Sequence, residues 1–330
     1  MDEEPSLQEF HREDLRENGS GALRVTVDAL VSWVASRVLT IGAEQTVQEL
    51  ETYAGSTTFP IRFIVGLRGI TLDNTIDLGG EVTISNQNDD LDFLRSQGDP
   101  RPWTAALSTV VNFPKITRTS DLNAPPVWGH RADAARINAF ERLNMARMCI
   151  ALTINQRIVQ VTRATRLLQS VPEGPVYAGA SKDDAPAVST TIALDDRTLH
   201  ASRSLHTRFL CLPKALQSRL AVALHRWHAC YLHGGITPDV FIDIGIGLEC
   251  VFLSEESGEL KHRLTVRAAR LLGGASLQSR LEIAKVIGVL YDARSRAVHR
   301  GVLLDKFKGS RPRDVYDLAF LGEYYLRDAI

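Results

Sequence analysis

Residues 291–300 read YDARSRAVHR and set Arg294, Arg296, Arg300 and His299 among apolar neighbours. Charged side chains are rarely buried without partners, so the stretch is either a solvated helix end or a site. Arginine and histidine together suit one reaction well, cleavage of RNA without a metal. Imidazole changes charge near neutral pH. It can take the proton of a ribose 2′-OH or return one to the leaving 5′ oxygen, while guanidinium stabilises charge building on the phosphorane. DNA lacks the 2′-OH, which restricts this chemistry to RNA.

Spacing decides which of these groups can meet. Leu277, Leu281, Ala284, Ile287, Leu290 or Tyr291, and Arg294 follow at three- or four-residue steps, so Arg294 is expected to continue a core-facing stripe. A guanidinium there needs an anion, at a cleft or a subunit interface. His299 comes five residues later, about 140° round the helix. Contact between the two requires the reach of Arg294, a distorted last turn before Gly301, or a second subunit. Ser295 and Arg296, at i−4 and i−3, lie beside His299.

The surrounding charge favours a polyanion. From 260 to 313 there are thirteen Lys or Arg against three acids, an excess of ten in a chain whose net charge is −1. Phosphate contacts and counterion release supply most nonspecific nucleic-acid affinity, so such a segment fits RNA. The alternative is a solvated helical face. Arg263, Arg267, Arg270, Arg300, Lys306 and Lys308 are the expected RNA contacts.

Other groups are weaker candidates. His225, His228, His233 and Cys230 resemble a metal cluster, but no acid or cysteine partner sits at zinc-finger spacing, and no metal or cofactor is expected. Glu249, inside the apolar LECVFL, needs a partner, such as an arginine of a neighbouring helix. The glycines of IGIG suit close helix packing; no strand precedes them and no GK[ST] follows, as a phosphate loop would require. Cys149, Cys211, Cys230 and Cys250 form no CxxC pair and are expected as buried apolar residues.

These residues need elements to position them. At 330 residues, 44% hydrophobic and 23% charged, the chain is long enough for two globular domains. An acidic lead, expected to be flexible, covers 1–20. An α+β domain follows over 21–200, with a helix near 23–38, β-type runs at 59–72, 81–86 and 104–119, a helix at 131–154, and strands in RIVQVTRATRLL and VSTTIALDD around a loop at 172–187. An all-α bundle over 205–330 completes the fold. Its helices start at Pro213, at Pro238 after Thr237, in ELKHRLTVRAARLLG, at Ser276 up to Gly301, and in RDVYDLAFLGEYYLRDAI. The start of the chain is not signal-like, and no run of about 18 apolar residues crosses a membrane, so a cytoplasmic location is expected.

The C-terminal part resembles a known family. ALHRWHACY, TPDVFIDIGIGLECVFL, KHRLTVRAARLLG and LYDARSRAVHRG together are similar to the HEPN domain, in its ApeA-like branch, over about 205–325. The most specific feature is the R-x4-6-H motif, here Arg294 to His299. Many HEPN ribonucleases carry Asn, Asp or His after the arginine; Ser295 stands here, as is common in the ApeA-like branch. Arg300 separates His299 from the glycine that often follows directly. LRGITLDNTIDLGGEVTI resembles the domain that precedes HEPN in these proteins.

The resemblance implies a homodimer in which motifs of two subunits share one cleft, and a metal-independent endoribonuclease of anti-phage defence or toxin type. Arg294 would stabilise the phosphate and His299 act as acid or base, supported by Ser295, Arg296 and Glu249. A phage-derived or cellular trigger would act at the N-terminal domain. The rival reading is a noncatalytic HEPN dimer that binds RNA or a protein partner.

Overall fold

The computed structural model describes residues 27–56, 58–86, 88–96, 104–114, 127–156, 158–168, 191–230, 233–253, 258–304, 306 and 312–330. The acidic lead over 1–20, the 172–187 loop and Lys308 lie outside them. The described residues form a mixed α/β chain of ten helices and seven strands. They divide into two compact units, the first holding the sheet and the second comprising 148–156 and the described residues from 204 on.

In the first unit, α1 (Val27–Ile41) and α2 (Ala43–Gly55) are tied by Arg37, whose Nε donates to Glu49 at 2.9 Å. Strand β1 (Thr58–Arg68) is followed by the short β2 (Ile70–Thr71), β3 (Ile76–Asp77) and β4 (Val82–Ser85), then by helix α3 (Asn88–Ser96) and β5 (Ala105–Pro114). Helix α4 (Val127–Ile154) leads to β6 (Val159–Leu167). The main sheet has the order β3-β4-β5-β1-β6, and its pairings are antiparallel. Strand β5 is the middle strand, and long β1 beside it buries Ile61, Phe63, Val65 and Leu67 at the two-residue period, with Ile64 buried on its other face. Phe140 of α4 meets Phe63 edge-on at 5.3 Å. Short β7 (Ile192–Ala193) pairs with β2 in parallel and gives way to α5 (Asp196–Leu210).

Three helices were not expected from the sequence. Helices α2, α3 and α5 are rich in polar residues; each has an apolar side at helical spacing, but their low average hydropathy hid it. Capping marks α5 instead: the carboxylate of Asp195 accepts the backbone N–H of Thr198 at 2.8 Å. The Thr198 hydroxyl first, and this backbone bond second, hold the Asp195 carboxyl below the usual carboxylate range. The strand expected in VSTTIALDD is accordingly confined, among the described residues, to Ile192–Ala193.

The second unit contains α6 (Lys214–Cys230), α7 (Pro238–Phe252), α8 (Leu260–Leu272), α9 (Leu277–Arg300) and α10 (Val315–Ala329). Apolar on nearly every side, α7 packs against all four others. Its glycines permit the close approach: a Cβ at Gly247 would strike Leu326 of α10, and one at Gly245 would overlap the stem of Arg294 on α9. Pro238 occupies the first turn of α7, yet the Thr237 hydroxyl makes no capping bond and is buried without a partner. The carbonyls at the other end of α7 are satisfied by guanidinium groups. Arg219 of α6 donates to Cys250 O at 2.8 Å and Leu253 O at 2.6 Å, and Arg267 of α8 donates to Phe252 O at 2.8 Å.

Candidate functional site

Helix α9 carries the YDARSRAVHR stretch through its last three turns. Ser276 starts the helix by accepting the Ser279 N–H at 3.2 Å, and Gly301 ends it in the left-handed conformation at φ 64°, its N–H donating to Ala297 O. The helix therefore stays regular through Arg300, and its last turn places His299 and Arg300 at the negative end of the helix dipole. The buried face is formed by Ile283, Val286, Ile287, Leu290, Ala293 and Ala297. This corrects the expected stripe, since Leu277 and Leu281 are 70% and 50% exposed. The apolar residues of α9 occupy two faces at helical spacing, and only one of them meets α7. Arg294 does continue the buried face, at i+4 from Leu290 and i−3 from Ala297, with its stem against Gly245 of α7.

The stem of Arg294 lies across Gly245, where only a missing Cβ leaves room, and its Nη2 donates to Glu249 Oε2 at 3.2 Å. Glu249 is one turn beyond Gly245 on α7, so seat and anion share a face. Both side chains retain about a quarter of their exposure, 26% for Arg294 and 22% for Glu249, although Arg294 Nε is buried without a partner. Ser295 and Arg296 are half-buried, and His299 and Arg300 are exposed. No hydrogen bond joins Arg294 to His299 among the described residues: the first faces α7 and the second faces solvent.

Among the described residues the expected RNA contacts are not gathered into one patch: α8 and α9 run antiparallel, Lys261 meeting Asp292 and Arg280 lying against Gly273, so Arg270 lies toward the start of α9 and Arg300 at its end. Arg263, Arg267 and Arg270 recur at i, i+4 and i+7 on α8, whose opposite side buries Leu264, Ala268 and Ala269. Arg267 commits one N–H to the end of α7. Arg270, Arg300 and Lys306 are exposed. Lys261 bridges to Asp292 at 2.6 Å, tying the start of α8 to α9.

A second cluster was not found from the sequence. Asp243, on the buried side of α7, receives Arg226 Nη1 on Oδ1 at 2.8 Å and His233 Nε2 on Oδ2 at 2.7 Å. The signal was the same that singled out Glu249: a lone acid in an apolar helix, here within FIDIG, must be partnered. Its partners lie on α6 and in the connection just after it. Of the residues read as a weak metal cluster, His228 is buried and His225 exposed. Among the described residues no three His, Cys, Asp or Glu side chains are grouped to hold a metal ion. The cysteines divide, with Cys149 buried and Cys211 exposed, contrary to the expected uniform burial. Burial pushes the Cys149 thiol up to about 12.

No family model, curated protein or solved structure matches the chain. Among the described residues no helix is long and apolar enough to cross a membrane.

Proposed function

We propose that the second unit is a HEPN-type bundle of the ApeA-like branch and that it acts, as a cytoplasmic homodimer, as a metal-independent endoribonuclease in anti-phage defence. The observation that carries this reading is the seating of Arg294. An arginine stem laid on Gly245, with its tip held at the surface by Glu249, is a guanidinium fixed in direction and still reachable by a phosphate. His299, exposed one turn and a half later on the same helix, supplies the acid or base. Because the two face different ways in one chain, the reactive cleft is formed between copies, with Arg294 of one facing His299 of the other.

Ser295 and Arg296 flank the histidine, and the basic face of α8 with Arg300, Lys306 and Lys308 tracks the RNA backbone. The first unit serves as the sensor of a phage-derived or cellular trigger. Incubation of total RNA with the full chain in EDTA tests the reading. Wild type is expected to leave 2′,3′-cyclic phosphate and 5′-OH ends, and Arg294→Ala and His299→Ala to leave the RNA intact. Salt-sensitive RNA binding with no cutting by any of the three, even with the trigger supplied, would favour the noncatalytic module.

A further inference from the structure

The cluster on Asp243 brings an arginine and a histidine together within a single chain. Its carboxylate, 7% exposed, accepts one bond on each oxygen, so Arg226 and His233 stand side by side at 2.8 and 2.7 Å from a common anchor. Both donors remain open to solvent, Arg226 at 44% and His233 at 24% exposure. An ionised carboxylate only accepts, so it fixes His233 Nε2 as a donor and leaves Nδ1 uncommitted to Asp243. Arg226 spends Nη1 on Asp243 and keeps its other N–H groups.

The charge of the three groups suits an anion when the imidazole is protonated. Asp243 cancels one of two cations when the imidazole is protonated, leaving one positive charge on the exposed side. The neighbouring Cys230 thiol, whose Sγ donates to Arg226 O, is pushed well above its ordinary range by burial and by the carboxylates of Asp243 and Glu323, and so stays neutral. A protonated imidazole held on the carboxylate through Nε2 donates from Nδ1, and with the guanidinium alongside it presents donors that match the several oxygens of a phosphate.

We infer that Arg226 and His233, oriented by Asp243, bind a phosphate group, carried either on a mononucleotide or on the backbone of RNA. This site does not rest on the ribonuclease reading, because it is complete in one subunit and uses no residue of the α9 motif.

The test follows the imidazole signals of the full chain by NMR, with the His233 signal assigned by its loss in His233→Gln. Inorganic phosphate, adenosine 5′-monophosphate and a 2′-O-methyl oligonucleotide, which cannot be cleaved by 2′-OH attack, are titrated in turn. The His233 signal is expected to shift saturably, and Arg226→Gln to weaken that response by about tenfold, the loss of one charge-assisted hydrogen bond. Arg226→Lys, which keeps the charge, is expected to fall between, and His299→Ala to respond like wild type. Tighter response to the oligonucleotide identifies a backbone phosphate, and equal response to the monophosphate a free one. A His233 signal that none of the three probes moves, or a shift that Arg226→Gln and Arg226→Lys leave unchanged, overturns the assignment and reduces the cluster to a clasp between α6 and α7.

Discussion

The molecule holds two arginine–histidine pairs that differ in how they are organised. Arg226, on α6, and His233, in the connection just after it, converge on the buried carboxylate of Asp243 on α7. Arg294 and His299 come from a single helix and diverge, one toward Gly245 and Glu249, the other into solvent. Proximity in sequence thus separates the second pair, because five residues of helix turn a side chain by about 140°. A shared buried partner brings the first pair together across a loop. The first pair is assembled by folding; under the proposed function the second is completed only by association.

The largest effect that could break this contrast is on RNA cleavage. His299→Ala is expected to lower the rate by at least ~100-fold, the usual contribution of a general acid or base. His233→Ala is expected to lower it no more than a few-fold, as read from initial rates on one RNA substrate. Comparable losses in both would erase the division of roles.

Stability separates the two anchors. Asp243→Asn leaves Arg226 and His233 facing a neutral, buried amide and is expected to cost about 2–3 kcal/mol in urea unfolding, the scale of hydrogen bonds to charged groups. Glu249→Gln removes a half-exposed ion pair at 3.2 Å and is expected to cost less than about 1 kcal/mol. Equal costs would mean that the Arg294 pair is as much a part of the folded core as the Asp243 cluster. Gly245→Ala sharpens the point from the other side. Its methyl occupies the seat of the Arg294 stem, so cleavage is expected to fall further than the loss of stability accounts for.

A small effect reports on Asp243 alone. Its charge is one of the causes that raise the Cys230 thiol, after burial. Removing that charge in Asp243→Asn lowers the thiol pKa, so at a given alkaline pH more thiolate forms. Alkylation of Cys230 in the folded chain is expected to quicken by a few-fold at most, while exposed Cys211 reacts first in both proteins and at an unchanged rate.

Much of the second unit was legible because its signals are local. Ser276 and Gly301 bound α9, Pro238 opens α7, and the IGIG glycines lie where α9 and α10 come closest. The need of Glu249 for a cation also followed from its apolar surroundings, and Arg294 meets it. Long-range choices were harder. Leu277 and Leu281 have the same spacing as the core residues, and only the placement of α7, α8 and α10 decides which face of α9 is covered. Asp243 meets the same rule as Glu249, but one of its partners, His233, lies beyond the end of α6, where helical spacing offers no guide. In the first unit, β1 and β5 declared themselves by their β-branched runs, whereas α3 and α5 carry an apolar side at helical spacing that their low average hydropathy hid.

The contrast is tested most directly by cleavage rate per chain across a dilution series, with sedimentation velocity on the same samples. If Arg294 and His299 meet only between copies, the specific rate should fall in step with the dimer fraction, and the phosphate response of His233 should persist in the monomer. A specific rate that stays constant as the dimer dissociates would contradict the account, because one chain would then hold a complete cleavage site.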